Sequence, residues 1–336
     1  MVSFRLGGTD GVSIESSKWV GALETLGHTV RTVAGEGPVD VTVPGLAIGA
    51  TEAPTFDELR TSLDGADLVI VENLASLPLN VAAREVLYDV LEGRLALFHH
   101  HDLAWQREHL RHLEGPKDSP TWSHVTINEL SRSELLARGI ETTTLMNSFD
   151  CSPPQGNRDG LREQLAITDE HLILLPTRAI PRKNIEGALA LAQRLDAVFW
   201  LLGPAEDGYD ATLDGLLRES TVRLRRGLPN GFNIHDAYAA CDLVVMPSTW
   251  EGFGNPVLES VTHRRPLALF PYPVAKEITA YGFNFFDLHD DEGIQAFLTH
   301  PNSELLEGNL AIAREHFNVE HLPAKLATLL NSMEIS

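Results

Sequence analysis

Residues 242–260 read Asp242-Leu-Val-Val-Met-Pro-Ser-Thr-Trp-Glu251-Gly-Phe-Gly-Asn-Pro-Val-Leu-Glu259-Ser260. The apolar run Asp242–Pro247 reads as a buried strand that exits into the loop Gly252-Phe253-Gly254. Asn255 is a natural N-cap there and Pro256 a natural first helical residue. Such a loop offers backbone N–H groups and the positive end of a helix dipole, which together cradle phosphate. Glu251 stands in the loop and Glu259 in the first turn of the helix. Ionised carboxylates only accept hydrogen bonds, so these two suit vicinal hydroxyls rather than phosphate. A diphosphate site flanked by two hydroxyl-binding carboxylates describes a nucleotide sugar. A capped helix with incidental acids accounts for Asn255 and Glu259, but not for Glu251 in a glycine loop.

Outward from this segment, short apolar runs alternate with amphipathic ones. Strands are expected at Val2–Leu6, His28–Val33, Asp67–Val71, Leu95–His99, His124–Ile127 and Thr143–Met146. A second series follows at His171–Pro176, Ala197–Leu202, Val222–Leu224, Asp242–Pro247, Pro266–Phe270 and Phe283–Asp287. Helical stretches lie between them, among them Ile14–Leu26, Leu79–Leu91 and Glu129–Arg138. Alternation of this kind predicts parallel sheets covered by helices on both faces. The segment Asn147–Gly160, with its Ser-Pro-Pro-Gln-Gly-Asn, reads as a linker. The expected fold is therefore α/β, two doubly wound parallel-sheet (Rossmann-like) domains facing a cleft. Residues 1–150 form the first and 151–317 the second, and a final helix within 318–336 packs back on the first.

Composition narrows the function classes. The 336 residues carry 26 Lys and Arg against 47 Asp and Glu, a net charge of −21. The excess is even, 11 against 22 in residues 1–150 and 15 against 25 in the remainder. So acidic a chain repels phosphate backbones and anionic lipid, so nucleic acid is not an expected partner. Stable membrane insertion is not expected either, because no run approaches the ~18 apolar residues of a span. The N-terminus lacks the plan of a signal peptide, and Cys151 and Cys241 have no metal or redox spacing, which together suggest a cytoplasmic protein. Composition says nothing about oligomeric state.

Other strand ends carry chemistry. Strand His171–Pro176 leads into Thr177-Arg178-Ala-Ile-Pro181-Arg182-Lys183-Asn184, three cations within six positions just ahead of a helix. A helix start disfavours cations unless an anion is present, so this cluster reads as an anion site; a solvated charge cluster is the plain alternative. Strand one runs into Gly7-Gly8-Thr9-Asp10-Gly11, where glycines permit a close backbone approach to an anion or simply form a tight turn. Strand Leu95–His99 enters His99-His100-His101-Asp102. His99 and His101 share a strand face, and His109 and His112 would share a helix face. No zinc-type spacing or carboxylate partner accompanies them, so no metal site is assigned. His101 lies furthest toward the loop. The Trp105–His112 stretch reads as an exposed helix face, although its Arg107, His109, Arg111 and His112 also suit an acidic or phosphorylated acceptor.

Residues 242–259 resemble the E-x7-E signature of retaining GT-B glycosyltransferases, family 4 in particular. The resemblance extends over nearly the whole chain. Gly7-Gly8 resembles that family's amino-terminal glycine loop, His101-Asp102 its His-Asp pair, Asn147-Ser-Phe-Asp150 its hinge entry, and Thr177-Arg178 through Lys183-Asn184 its diphosphate segment. The resemblance implies that Arg178 and Lys183 hold the donor diphosphate and that Glu259 holds the ribose. It places Glu251 on the transferred sugar and His101 near the 6-hydroxyl and the acceptor. Gly8, Phe253, Gly254 and Asn255 complete the donor site. Two segments depart from the pattern. Thr262-His-Arg-Arg-Pro266 replaces small residues and glycine, and Tyr272-Pro273-Val-Ala-Lys-Glu277 replaces a glycine-rich loop, which leaves sugar identity open.

The expected function is retaining transfer of a hexose from a nucleoside-diphosphate sugar to a small-molecule or glycan acceptor that is soluble. The chain contains no Asp-x-Asp. Arg178, Lys183 and helix N-termini would stabilise the leaving diphosphate without metal, and no cofactor is expected. The alternatives are an epimerase or phosphorylase on the same plan, or a non-catalytic sugar-nucleotide-binding protein.

Overall fold

The computed structural model describes residues 1–206 and 208–333. The chain divides into two compact units, Met1–Ser148 with the segment from Val319 onward, and Phe149–Asn318. The first unit is built on seven parallel strands: β1 (Val2–Arg5), β2 (Val33–Glu36), β3 (Val41–Thr42), β4 (Val69–Glu72), β5 (Ala96–His100), β6 (Trp122–Thr126) and β7 (Thr142–Thr144). Their order is β3-β2-β1-β4-β5-β6-β7. The second unit holds six: β8 (Leu172–Leu175), β9 (Val198–Leu201), β10 (Leu224–Arg226), β11 (Leu243–Met246), β12 (Leu267–Leu269) and β13 (Phe286–Asp287), in the order β10-β9-β8-β11-β12-β13. Both sheets are parallel throughout.

The central strands β4, β5, β8, β9 and β11 are buried at every residue, as parallel strands are when helices cover both faces. In each sheet the chain winds outward from one strand and then returns to wind the other way. The reversal falls between β1 and β4 in the first unit and between β8 and β11 in the second. Loops leaving those strand pairs diverge, so ligand sites of doubly wound sheets gather at their carboxyl ends.

Several expected boundaries move for identifiable reasons. The strand expected at His28–Val33 starts only at Val33. There the Val33 N–H reaches the Met1 carbonyl at 2.8 Å, and Val2 pairs with Val33. Ahead of Val33 the Met1 amino group still donates to the Arg31 carbonyl at 2.7 Å, but the Thr32 N–H and hydroxyl turn to Asp40. Within β2, Gly35 is required because a Cβ would lie 2.1 Å from the Ala47 nitrogen. The two-residue strand β3 is too short to leave a sequence pattern. No α-helix forms over Trp105–His112. The segment makes short 3-10 turns at Ala104–Gln106 and Glu108–Leu110, the first closed by Gln106 accepting from the Leu103 N–H at 3.3 Å. His109 and His112 therefore share no helix face. The stretch read as a linker already contains the start of helix Arg158–Gln164, capped by Asn157.

The last helix, Leu322–Ser332, buries Leu322, Leu326, Leu329 and Leu330 against Trp19 and Leu23 of helix Gly11–Thr25. Leu326 has no exposed surface, so Leu326→Ala leaves a cavity at that contact. The expected cost is about 2–5 kcal/mol, read as a lower urea midpoint for the transition that reports Trp19 fluorescence.

Candidate active site

In the second unit, the loops after β8 and β11 are stitched together by hydrogen bonds. Asn184 has a left-handed backbone (φ 49) and caps helix Ile185–Arg194 through Gly187, while its amide donates to the Pro247 carbonyl at 3.2 Å. The Thr249 N–H donates to the Arg182 carbonyl at 2.9 Å, and the Arg182 guanidinium to the Trp250 carbonyl at 2.8 Å. Between these stitches the Lys183 ammonium donates to Glu251 Oε1 and Arg182 to Glu251 Oε2. Lys183 is 6% exposed and Glu251 5%. Burial alone would raise the Glu251 carboxyl, but the two cations outweigh it and hold it below the usual range. This is not a solvated charge cluster. Arg178 stands apart from it, half-buried, with its guanidinium on Glu206 at 2.5 Å. Gly203 lets the chain pass close by, since a Cβ there would lie 2.6 Å from the Arg178 backbone.

The loop after β11 is capped differently from expectation. Helix Asn255–Thr262 has Gly254 as its N-cap, in a left-handed conformation (φ 91), so Asn255 is the first helical residue and Pro256 the second. An Asn side chain cannot follow that backbone as cheaply as glycine. A Cβ on Gly254 would also fall 2.0 Å from the Tyr272 hydroxyl, which donates to the Phe253 carbonyl at 2.8 Å. Phe253 is buried. Glu259 consequently lies in the second turn, not the first. Its Oε2 accepts from the Tyr238 hydroxyl at 2.6 Å. Tyr238 is fully buried, and burial together with Glu259 keeps its phenol protonated. His263 stacks on Tyr238 at 4.5 Å; its Nδ1 donates to the Glu259 carbonyl at 2.7 Å, leaving Nε2 to accept from His235 at 2.9 Å.

The first unit gathers the remaining candidates at the ends of β1, β4 and β5. Gly8 lies in an exposed turn ahead of helix Gly11–Thr25, whose N-cap is Asp10. His101 is 4% exposed and its Nε2 lies 2.9 Å from Glu72 Oε2. His99 Nδ1 reaches the same oxygen at 3.0 Å. Burial would raise the Glu72 carboxyl, but His99 and His101 draw it down to about 2. Among the described residues these three have the composition of a metal site. The separations are hydrogen-bond lengths, with one carboxylate accepting from two imidazoles. The carboxylate partner that the histidine spacing lacked is thus Glu72.

Five neighbours of the expected site went unseen in the sequence: Arg182 as a ligand of Glu251, Tyr238, Tyr272, Glu72 and Asn73. Glu72 left one trace, a charge ending the apolar run Val69-Ile-Val; Arg182 stood in the cation cluster and Tyr272 in a departing segment without their contacts being legible, and Tyr238 and Asn73 left none.

Residues 157–299 match the family model of glycosyl transferases group 1. Two curated relatives are mannosylglucosylglycerate synthases. That of Petrotoga mobilis is 27% identical with 86% of each chain covered, and that of Thermotoga maritima is 25% identical with 96% of this chain and 97% of that one covered. This chain is a glycosyltransferase. Among solved structures, Anabaena HepE in complex with UDP and glucose superposes with a TM-score of 0.76 at 18% identity, covering 99% of this chain and 100% of that one. The glycosyltransferase has the GT-B architecture.

The glycosyltransferase carries a second buried histidine pair whose protons can be assigned. His124 Nε2 lies 3.2 Å from the Asp118 carboxylate and so carries a proton, which leaves its Nδ1 to accept from His100 Nε2 at 2.9 Å. Burial pushes His100 well below 6.5 and His124 below it. The folded state therefore binds fewer protons than the unfolded state just below pH 6.5, and stability falls as pH drops through that value. Denaturant midpoints measured at pH 7.5 and 5.5 should decrease, and His100→Gln should flatten the difference. A midpoint independent of pH over that window contradicts the neutral pair.

Proposed function

We propose that the enzyme is a retaining, family 4-type transferase that moves a hexose from a nucleoside-diphosphate sugar to a small soluble acceptor in the cytoplasm, without metal assistance. The donor occupies the carboxyl-terminal domain, residues 151–317, and the acceptor residues 1–150. The observation that carries this reading is the buried Lys183–Glu251 pair at the reversal between β8 and β11. A buried ion pair adds little to stability compared with apolar side chains, and this one sits where doubly wound sheets bind ligands. An arriving diphosphate competes for Lys183 and Arg178, and Glu251 turns to the hydroxyls of the sugar. Phe253, Gly254 and Asn255 line the donor, and Glu259, buttressed by Tyr238, accepts from the ribose.

In the transfer, the bond from the anomeric carbon to the diphosphate breaks with its electron pair on phosphate. The acceptor oxygen bonds the same face, and its proton passes to the departing phosphate. Cations and helix N-termini stabilise the charge that develops. The relatives' names support a mannosyl donor and an acceptor of the glucosylglycerate type, a small glycoside with a carboxylate.

Release of nucleoside diphosphate, measured across candidate hexose donors with and without acceptor, tests the reaction. Acceptor-dependent release that persists in excess chelator is expected; a strict divalent-cation requirement, or binding without turnover, overturns it. Lys183→Ala should cost about 2–4 kcal/mol of transition-state stabilisation. Glu259→Ala and Tyr238→Phe should instead raise the donor KM with little change in kcat, because ribose hydroxyls do not change charge during transfer. His101→Ala should lower kcat by about 10²-fold, the scale of one misplaced contact.

A further inference from the structure

The geometry points to Glu72, together with Asn73, as the positioning element that fixes the tautomer and placement of His101. The inference rests on the role proposed for His101 in transfer.

Glu72 ends β4 and pairs in register with His99 of the adjacent β5. Its ionised carboxylate can only accept, so a 2.9 Å contact to His101 Nε2 requires a proton on that nitrogen. The neutral ring is then held as the Nε2–H tautomer, and Nδ1 keeps the lone pair that can accept from a substrate hydroxyl. The reverse tautomer would set two acceptors against each other. His99 Nδ1 donates to the same oxygen from the other side, and the His99 ring is itself stacked on Trp19 with centroids 4.1 Å apart. The carboxylate is thereby clamped.

Asn73 fixes the backbone in the same way. Its Oδ1 accepts from the N–H groups of His101 and Asp102, both at 3.0 Å. Asn73 holds a left-handed φ of 58 to do so, a conformation with a cost that clusters at functional sites. Two consecutive residues thus hold the side chain and the main chain of the His101-Asp102 step.

Stability alone does not explain this arrangement. Glu72 is fully buried, and among the described residues neither its Oε1 nor His99 Nε2 has a hydrogen-bond partner. An orphaned buried polar atom is destabilising, so an apolar residue would serve the core better. A carboxylate is needed where an imidazole must present a particular nitrogen. In hydrolases that use such a pair, replacing the carboxylate by its amide costs about 10⁴-fold in kcat with geometry intact.

The test uses the full-length enzyme with Glu72→Gln. The amide can donate as well as accept, so it no longer dictates the tautomer. In wild type, 15N spectra of labelled histidine should show His101 as the neutral Nε2–H form, and in Glu72→Gln the Nδ1–H form should appear. Turnover should fall at least about tenfold with the donor KM within about threefold of wild type. In a His101→Ala background, Glu72→Gln should change turnover no further, since it acts through the missing ring. An equal loss in both backgrounds marks a structural role and overturns the inference, as does an Nδ1–H signature in wild type. That spectrum decides the point even if the variant fails to fold. Wild-type turnover in His101→Ala refutes instead the proposed role of His101, while the spectra still report whether Glu72 holds its ring.

Discussion

Taking a carboxylate and an ammonium out of water costs several kcal/mol per ion unless each finds close, well-directed partners. Lys183 and Glu251 are both buried, so the loops that carry them must meet with little freedom. That requirement accounts for the left-handed Asn184, whose amide and side-chain oxygen bond two different segments. It also accounts for the two contacts of Arg182 with residues 249–250, its carbonyl accepting from the Thr249 N–H and its guanidinium donating to the Trp250 carbonyl. The strand order makes the meeting feasible, because β8 and β11 are neighbours in the sheet though far apart in sequence.

The first unit solves the same problem with different chemistry. Its buried carboxylate, Glu72, accepts from two imidazole N–H groups rather than from an ammonium and a guanidinium. Two directed N–H donors on one carboxylate oxygen suit orientation of a ring. The Lys183–Glu251 pair, supplemented by Arg182, leaves a net positive charge, which suits an incoming diphosphate.

The fold class was legible because it depends on patterns that survive without tertiary context: apolar runs of strand length, glycine and asparagine at their ends, and amphipathic stretches between. Boundaries were less so. Where β2 begins is decided by where β1 begins, and β3 exists only because β2 offers it an edge. In the site, Lys183, Glu251 and Glu259 stood out as charges at strand ends and in a helix start. Their partners did not, since Tyr238 lies in a helix of ordinary composition, Ile234–Ala240, and reaches Glu259 only through folding. The cap at Gly254 was misread because Asn is the better N-cap by propensity. A left-handed backbone over the Tyr272 hydroxyl overrides propensity.

The two segments that depart from the family pattern turn out to be joined to the residues that follow it. Tyr272 occupies the space that any side chain on Gly254 would need, and its hydroxyl fixes the Phe253 carbonyl. His263 lies against Tyr238 and holds the Glu259 carbonyl through Nδ1. Its pKa, drawn by burial from 6.5 to about 4, keeps the ring neutral, so Nε2 can go on accepting from His235 at neutral pH. A smaller residue at position 263 would remove both the stacking surface and the donor. The bulk at 263 and 272 therefore replaces conformational freedom with side-chain support, and the orientation of Glu259 becomes a property of the chain Glu259–Tyr238–His263–His235 rather than of the helix alone.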